Sequence, residues 1–451
     1  MQQAAPSAVR LAILGVGTVG TGVVNLLANN GDEIKRRIGR DIIITHVGTR
    51  RPRHDLPASI AQSADLLDIV AQDDVDIVLE LMGGTTVAKD VMIAAIKHGK
   101  HVVTANKALL AEHGNEIFAL AEQHGVHVAF EAAVAGGIPI IKTLREALAG
   151  NRINWLAGII NGTGNFIMSE MRDKGRNFDD VLAEAQALGY AEADPTFDIE
   201  GIDAAHKLTL LASIAFGIRL QFSQVYCEGI TRITAQDVQY AKELGYRIKH
   251  LGFAVRRTLT DGQEGIEMRV HPTLIPKDSL LAHVNGVKNA VLVDAEPVGQ
   301  TLYYGAGAGA GATASAVVAD VADVARTLAC SVPSSAPTAH GVAHLGFLPD
   351  ALQPTYVLNS DEFVSGYYLR LKVKDDLGVL ASITQILSNN HISIAAILQR
   401  PAHTAGEVPV IILVEPVLER HMNTAIAQIE ALDSVTDSVM RIRIEALAAN
   451  Q

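Results

Sequence analysis

The stretch VRLAILGVGTVGTGVVNLLA, residues 9–28, constrains this chain more than any other. An apolar run suited to a strand leads through Gly15, Gly17 and Gly20 into a run suited to a helix. The GxGxxG spacing has a physical meaning only in that setting. The first glycine permits a tight turn, the second lets backbone approach a pyrophosphate, and the third lets helix and strand pack closely. Val16, Thr18 and Val19 between them belong to the same loop, at a helix N-terminus whose N–H groups favour phosphate. The competing reading is a glycine-rich turn in an ordinary α/β protein.

Further alternation favours the nucleotide. DIIITHVGTR (41–50) reads as a second strand, followed by VDIVLELMGG (75–84), a helical VAKDVMIAAIKHGK, then HVVTA (101–105) and VHVAFEAAV (126–134) as strands. Strands alternating with helices predict a doubly wound parallel sheet, with ligands outside the carboxyl ends of the strands. That rule places Gly83, Gly84, Thr104, Asn106, Lys107 and the segment from Glu131 to Ile138 near the cofactor. A strand that selects NAD usually ends in an acid that holds the ribose 2′-hydroxyl. This one ends in Thr49, Arg50 and Arg51, and two guanidiniums suit a 2′-phosphate, so NADP is expected over NAD. The alternative for the arginines is a solvated loop.

The 451 residues predict two to four domains. With 37 basic and 49 acidic residues the net charge is −12, and no Lys/Arg run occurs, which argues against a nucleic-acid partner. No run of about 18 apolar residues exists to span a membrane. The start, MQQAAPSAVR, does not read as a signal peptide, and two distant cysteines, Cys227 and Cys330, fit a reducing cytoplasm. Cys227 and the sole Trp155 read as core residues, and HGVH (124–127) as a loop rather than a metal site.

The texture changes after about residue 137. WLAGIINGT (155–163) reads as a strand entering a polar turn, and FAVRRTLTDGQEGIEMRVHPTLI (253–275) as a hairpin. With a strand at VKNAVLVDAE, these predict an α+β layout. GIDAAHKLTLLASIAFG (201–217) is an apolar helix carrying Asp203 and Lys207 one turn apart. A solvated i,i+4 pair is one reading. The other is a functional pair, because a charge on an interior helix is costly unless partnered.

Here the chain resembles homoserine dehydrogenase, through GVGTVG, TANKALL, FEAAVAGGIPI, NGTGNFI, LGYAEADPTFDIEGIDAAHKL and YGAGAGAGATASAVVAD. The resemblance covers nearly the whole chain. It implies reversible, NAD(P)-dependent interconversion of L-homoserine and L-aspartate 4-semialdehyde, in threonine, methionine and isoleucine biosynthesis. It implies Lys207 and Lys107 in the reaction centre, without ranking them as proton carrier. It implies Glu192 and Asp203, supported by Asp198, as carboxylates for the substrate ammonium. Gly189, Gly305 and Gly307 would lie against the cofactor, though helix-end and loop punctuation explains them equally. The carbonyls of Glu131, Val134, Gly136 and Ile138 resemble a monovalent-cation loop, for Na+, against a plain turn before Pro139. The Gly-Ala run at 305–312 departs from relatives that break it with Pro.

HLGFLPDALQPTYVLNSDEFVSG (344–366) reads as a linker, and the residues beyond it as βαββαβ, a ferredoxin-like order. DDLGVLASI resembles an ACT domain, implying pairing into a homo-oligomer, a dimer or tetramer, and sensing of threonine at Asp376 and Gly378. A dimerisation module without ligand is the alternative. The resulting division is a nucleotide domain at 1–137, completed by about 305–343, a substrate domain at 138–304, a linker at 344–363 and an ACT domain at 364–451. Because every catalytic candidate precedes residue 312, the core is expected to fold without the last module. An idle sensor is the rival function. It would have no reason to hold Lys107, Glu192, Asp203 and Lys207 together.

Overall fold

The computed structural model describes residues 8–259, 262–330, 342–400 and 406–447. The start MQQAAPS, Asp261 in the expected hairpin turn and residues 331–341 of the segment expected to complete the first domain lie outside them. The chain forms two units, the first from Met1–Leu156, His206–Ser223 and Lys288–Thr355, the second from Ala157–Ala205, Gln224–Val287 and Tyr356–Gln451. Among the described residues no helix is long and apolar enough to cross a membrane.

The first unit is built on a six-stranded parallel sheet of β1 (Val9–Leu14), β2 (Ile42–Gly48), β3 (Ala61–Ser63), β4 (Ile77–Glu80), β5 (His101–Thr104) and β6 (Val128–Ala129), in the order β3-β2-β1-β4-β5-β6. β4 and β5 are buried at every position, as strands covered on both faces must be. The order reverses between β1 and β4, the switch point at which such sheets bind ligands. The helix Thr18–Ile38 follows β1 directly and packs on the helix Ala310–Cys330, with Gly22 against the Ala310 carbonyl. Val9, Leu11, Ile13, Val23, Val317 and Val321 share one apolar core.

One expectation fails here. The run 126–134 is a strand only at Val128–Ala129 and then turns into a 3-10 helix, Glu131–Ala133. The buried carboxylate of Glu131 accepts hydrogen bonds from the N–H groups of Ile141 and Lys142 at 2.9 and 2.8 Å, and its own N–H donates to Asp320 at 2.8 Å. These local bonds draw the chain out of the sheet.

In the second unit the strands Tyr246–Thr258 and Glu264–Pro276 form a long antiparallel hairpin. The strand Met440–Ile444 lies parallel to the second of these, and the sheet continues through Val364–Lys374, Glu407–Leu418 and Ile394–Gln399. With the helices Val379–Asn389 and Glu419–Glu430, the C-terminal residues have the expected βαββαβ order. They share a core and buried ion pairs with the rest of the second unit. Tyr368, Ile411, Leu413, Met440 and Ile442 share a core with Phe166, Ile167, Met171, Val181, Ile230 and Leu274. Asp237, fully buried, accepts from Arg370 at 2.6 and 3.0 Å and from the Tyr368 hydroxyl at 3.0 Å. Arg443 pairs with Glu228 at 2.8 Å and Arg269 with Glu445 at 2.9 Å. Removing the C-terminal part would strand a buried carboxylate and open an apolar core, which weighs against the expectation that the core folds without it. The expected linker is also docked, since Tyr356–Val357 pairs with Gly265–Ile266.

Candidate active site

The glycine loop follows β1 as the motif requires. Gly15 has φ +98°, and a Cβ on Gly20 would stand 2.3 Å from the Gly15 carbonyl oxygen. A Cβ on Gly17 would meet nothing within 4 Å, so that edge of the loop is open to a ligand. Arg50 and Arg51 are exposed just past β2. The arginine that touches the loop is Arg53, which donates to the Val16 carbonyl at 2.7 Å and pairs with Asp55 at 2.6 Å. Sequence reasoning misses it because its link to Val16 is a backbone contact 37 residues away.

Glu80, at the end of β4, organises the neighbouring loops. Its carboxylate accepts from the Thr104 hydroxyl at 2.8 Å and from the Met82 N–H at 2.9 Å. Asn106 donates to the Gly84 carbonyl at 2.7 Å and caps the helix Lys107–His124 by accepting from Leu109 N–H at 3.1 Å. Thr104, Asn106, Gly83 and Gly84 are thus one bonded cluster, and Lys107 is the first residue of the helix it caps. Glu80 is absent from the sequence-derived candidates although it ends a wholly apolar strand. A lone acid in such a run is the signal that marks it.

In the same unit Gly305 and Gly307 meet the expected cation loop. Gly137 N–H donates to Ala306 at 2.9 Å, and a Cβ on Gly136 would stand 2.7 Å from the Gly307 carbonyl oxygen. Gly307 itself has no room for a side chain, since a Cβ would lie 2.0 Å from Asn289. The Ile138 carbonyl accepts from Ile140 N–H at 2.7 Å and that of Glu131 from Val134 N–H at 3.4 Å. Burial pushes the carboxyls of Glu131 and Asp320 up, Asp320 well above the usual range. Among the described residues no group of three or more His, Cys, Asp or Glu side chains could hold a metal ion.

The helix Ile202–Phe216 carries Asp203 and Lys207, and the chain passes between the units inside it, after Ala205. Ala204, Ala205, Leu208, Leu210 and Leu211 are buried, whereas Lys207 is half-buried. Helical geometry sets Asp203 and Lys207 on one face. Asp203 is 5% exposed, which excludes the solvated pair for the acid. Asn161 gathers the acids: its Nδ2 donates to Asp198 at 2.7 Å and to Asp203 at 2.9 Å, while its Oδ1 accepts from Gly164 N–H at 2.7 Å. Asn161 lies in the motif NGTGNFI, which by itself gives it no role. Its place as N-cap of the helix Gly162–Lys174 is the signal that identifies it. Glu192 is not joined to this cluster. It is exposed, and its carboxyl makes no bond among the described residues. Gly189, with φ +72°, ends the helix Phe178–Ala187. Trp155 is buried as expected, but Cys227, on the two-residue strand Tyr226–Cys227, is exposed.

The C-terminal turn is also exposed. Gly378 has φ +88° and begins the helix Val379–Asn389, with Asp376 just before it. A left-handed residue there requires glycine.

Three family models match the chain: homoserine dehydrogenase, NAD binding domain, at residues 15–131; homoserine dehydrogenase at 139–322; and ACT domain at 367–432. The homoserine dehydrogenase of Pseudomonas aeruginosa is 57% identical over 441 residues, covering 97% of this chain and 99% of its own. The crystal structure of a homoserine dehydrogenase from Thiobacillus denitrificans is 54% identical, covers 98% and 99% of the two chains and superposes with a TM-score of 0.91. A more distant hyperthermophilic archaeal homoserine dehydrogenase mutant, solved in complex with NADPH, is 25% identical over 70% of this chain and 97% of its own, with a TM-score of 0.59. A nucleotide-binding sheet, an acid cluster beside a lysine-bearing helix and a C-terminal ACT domain agree with near-complete coverage, and the chain belongs to the homoserine dehydrogenase family of oxidoreductases.

Proposed function

We propose that this homoserine dehydrogenase interconverts L-homoserine and L-aspartate 4-semialdehyde with NADP in preference to NAD, on the route to threonine, methionine and isoleucine in the cytoplasm. The observation that carries the substrate reading is Asn161 holding Asp198 and Asp203 together one helical turn before Lys207. Two carboxylates fixed by one amide suit an ammonium group, and Glu192 on its exposed loop is the third carboxylate for it. The Gly15–Gly20 loop fits a dinucleotide, since Gly17 leaves open the space a Cβ would fill. Val16, Thr18 and Val19 would offer backbone N–H groups to the phosphates, Arg50 and Arg51 would face a 2′-phosphate, and Gly83, Gly84, Thr104, Asn106, Gly189, Gly305 and Gly307 would border the cofactor.

NADP, when bound, supplies the hydride acceptor. Lys207 takes the proton from the substrate hydroxyl as general base, and returns it in the reverse direction. Lys107 supplies a second cation that favours the neutral amine on Lys207, or relays its proton. Na+ on the carbonyls of Glu131, Val134, Gly136 and Ile138 would be structural. The division into 1–137, 138–304 and 364–451 remains our reading of where each role resides. In a homo-oligomer paired through the ACT domains, threonine would bind at Asp376 and Gly378 and inhibit.

The test is NADP reduction with L-homoserine, by the parent and by Lys207→Ala. The variant should lose at least about two orders of magnitude in kcat, the scale of general acid–base catalysis, with little change in dinucleotide affinity. Near-normal turnover removes Lys207 from the mechanism, and an inactive parent removes the substrate assignment.

A further inference from the structure

A cavity of about 430 Å³ lies in the second unit, where the last turns of the helices Gly162–Lys174 and Ala235–Glu243 meet the open end of the hairpin formed by Tyr246–Thr258 and Glu264–Pro276. Its volume falls in the range of small-molecule sites, about 300–1,000 Å³. Met168, Val238 and Ile248, all buried, line it with apolar surface, and Tyr246 adds a half-buried ring. It lies outside the site already described, because Asn161 caps the opposite end of the helix Gly162–Lys174.

Four cations and one acid line this cavity: Arg172, Lys242, Arg247, Lys277 and Asp173. Arg172 and Asp173 cancel, joined by two hydrogen bonds at 2.7 and 2.8 Å. Lys242 sits in the last turn of its helix, where a cation offsets the dipole. The other two have no counterpart. Arg247 donates to the Ala282 carbonyl at 2.8 Å and, like Lys277, makes no ion pair among the described residues. Glu243 and Asp278, the acids next to Lys242 and Lys277 in sequence, do not line the cavity, and Glu243 is held by Arg400 at 2.5 Å. Arg247 pairs in register with Ile275, and Lys277 N–H donates to the Gly245 carbonyl at 3.0 Å, so the two cations stand two residue steps apart on adjacent chains. Like charges brought so near repel. With 49 acidic residues against 37 basic in the chain, the lack of a carboxylate between them is not a matter of composition. The repulsion reaches the next residue on the same face of the strand, buried Lys249, whose pKa is held down to about 7, first by burial and then by Arg172 and Arg247.

We propose that this cavity binds a phosphate monoester, its phosphate between Arg247 and Lys277 and its organic body against Tyr246 and the apolar lining. A phosphate monoester carries close to two negative charges on one group near pH 7, which matches two cations brought to one end of a strand pair. A carboxylate carries only one. Arg supplies the planar fork and Lys the point charge, both of which suit phosphate oxygens. Inorganic phosphate would match the cations but make no use of the apolar lining.

The experiment is calorimetric titration of the full-length protein at fixed ionic strength, with saturating NADP so that the glycine loop and its 2′-phosphate site are filled. The probes are phenyl phosphate, inorganic phosphate and succinate. The parent is compared with Arg247→Gln, Lys277→Gln and Arg36→Gln, the last removing one exposed cation elsewhere. Phenyl phosphate should bind the parent and Arg36→Gln alike, and roughly tenfold more weakly in each cavity variant, as for loss of a charge-assisted bond. Inorganic phosphate should bind the parent less tightly than phenyl phosphate, and succinate less tightly again. Lys277 is exposed and its side chain makes no hydrogen bond among the described residues, so Lys277→Gln keeps the test decisive if Arg247→Gln, which loses its bond to Ala282, does not fold. No binding of phenyl phosphate, or equal affinity in the parent and Lys277→Gln, overturns the site. Succinate binding as tightly as phenyl phosphate overturns the phosphate, and inorganic phosphate binding as tightly overturns the ester.

Discussion

The parallel sheet of the first unit and the sheet that joins the C-terminal domain to the rest of the second unit are stabilised in different ways. In the first, the strand interiors are apolar; the buried polar groups Glu80, Thr104 and Asn106 gather where strands end and a ligand is expected, while Lys100 and His101 are buried at the opposite end of β5. In the second, ion pairs run through the interior: Arg370 to Asp237, Arg443 to Glu419 and Glu228, Arg269 to Glu267 and Glu445. A buried pair adds little net stability over an apolar replacement, but losing one partner is severe. The contrast separates a region in which polarity serves a site from one in which it fixes how two structural layers join.

That difference also decides what is legible in the sequence. The strand–turn–helix at residues 9–28 is local, so the glycine spacing, the switch point and the positions of Gly83, Gly84 and Asn106 derive from neighbours in the chain. The βαββαβ order of the C-terminal domain is equally local. Its integration is not. Asp237 and Arg370 are 133 residues apart and Glu228 and Arg443 are 215 apart, and no periodicity points from one to the other. Asn161 falls between these cases: its cap is visible in the motif, whereas its second bonding partner lies 42 residues on.

The strongest challenge to the contrast is Arg370→Ala. It leaves Asp237 buried with Tyr368 and its own helix cap but no cation. A loss of about 3–5 kcal/mol in unfolding free energy is expected, the usual cost of a buried charge stripped of its partner. Denaturant titration of Arg370→Ala and of the double variant Arg370→Met with Asp237→Leu measures it. The double variant should recover much of the loss. If the single change costs under about 1 kcal/mol, in the range of a solvated pair, the ion pairs do not fix the junction.

Lys249 sharpens the same point through pH. It lies 1% exposed, donates to Asn165 at 3.2 Å and to the Val284 carbonyl, and its pKa is held down to about 7, first by burial and then by the cations Arg172 and Arg247, with Asp173 opposing. The ordinary value is 10.5, so between about 7 and 10.5 the unfolded chain binds more protons than the folded one. Stability from this residue therefore rises with pH across that window, by up to about 1.4 kcal/mol per unit, and the full penalty of a buried charge is present below it. The stability of the parent minus that of Lys249→Met should climb between neutral and mildly alkaline pH. A flat difference would show that the ammonium is solvated or paired when the protein is folded.

Asn161→Ala carries the smallest effect and bears most directly on function. The change removes the cap to Gly164 and both donors to Asp198 and Asp203, leaving two carboxylates near each other without the amide between them. Their mutual repulsion should splay them, and the substrate ammonium would then have to reorganise the cluster as it binds. A loss of about tenfold in kcat/KM is expected, the scale of one hydrogen bond to a charged group, and most of it should appear in KM. A merely structural cap predicts something different: lower thermal stability with kinetics unchanged in the surviving folded protein. Asn161→Asp separates the two accounts. The aspartate keeps an acceptor for Gly164 N–H but adds a third negative charge to the cluster, so it should retain the cap and suffer in KM more than the alanine does. Equal kinetics for the parent, the alanine and the aspartate would detach the cluster from substrate binding and leave Asp203 as a buried helix residue without a ligand.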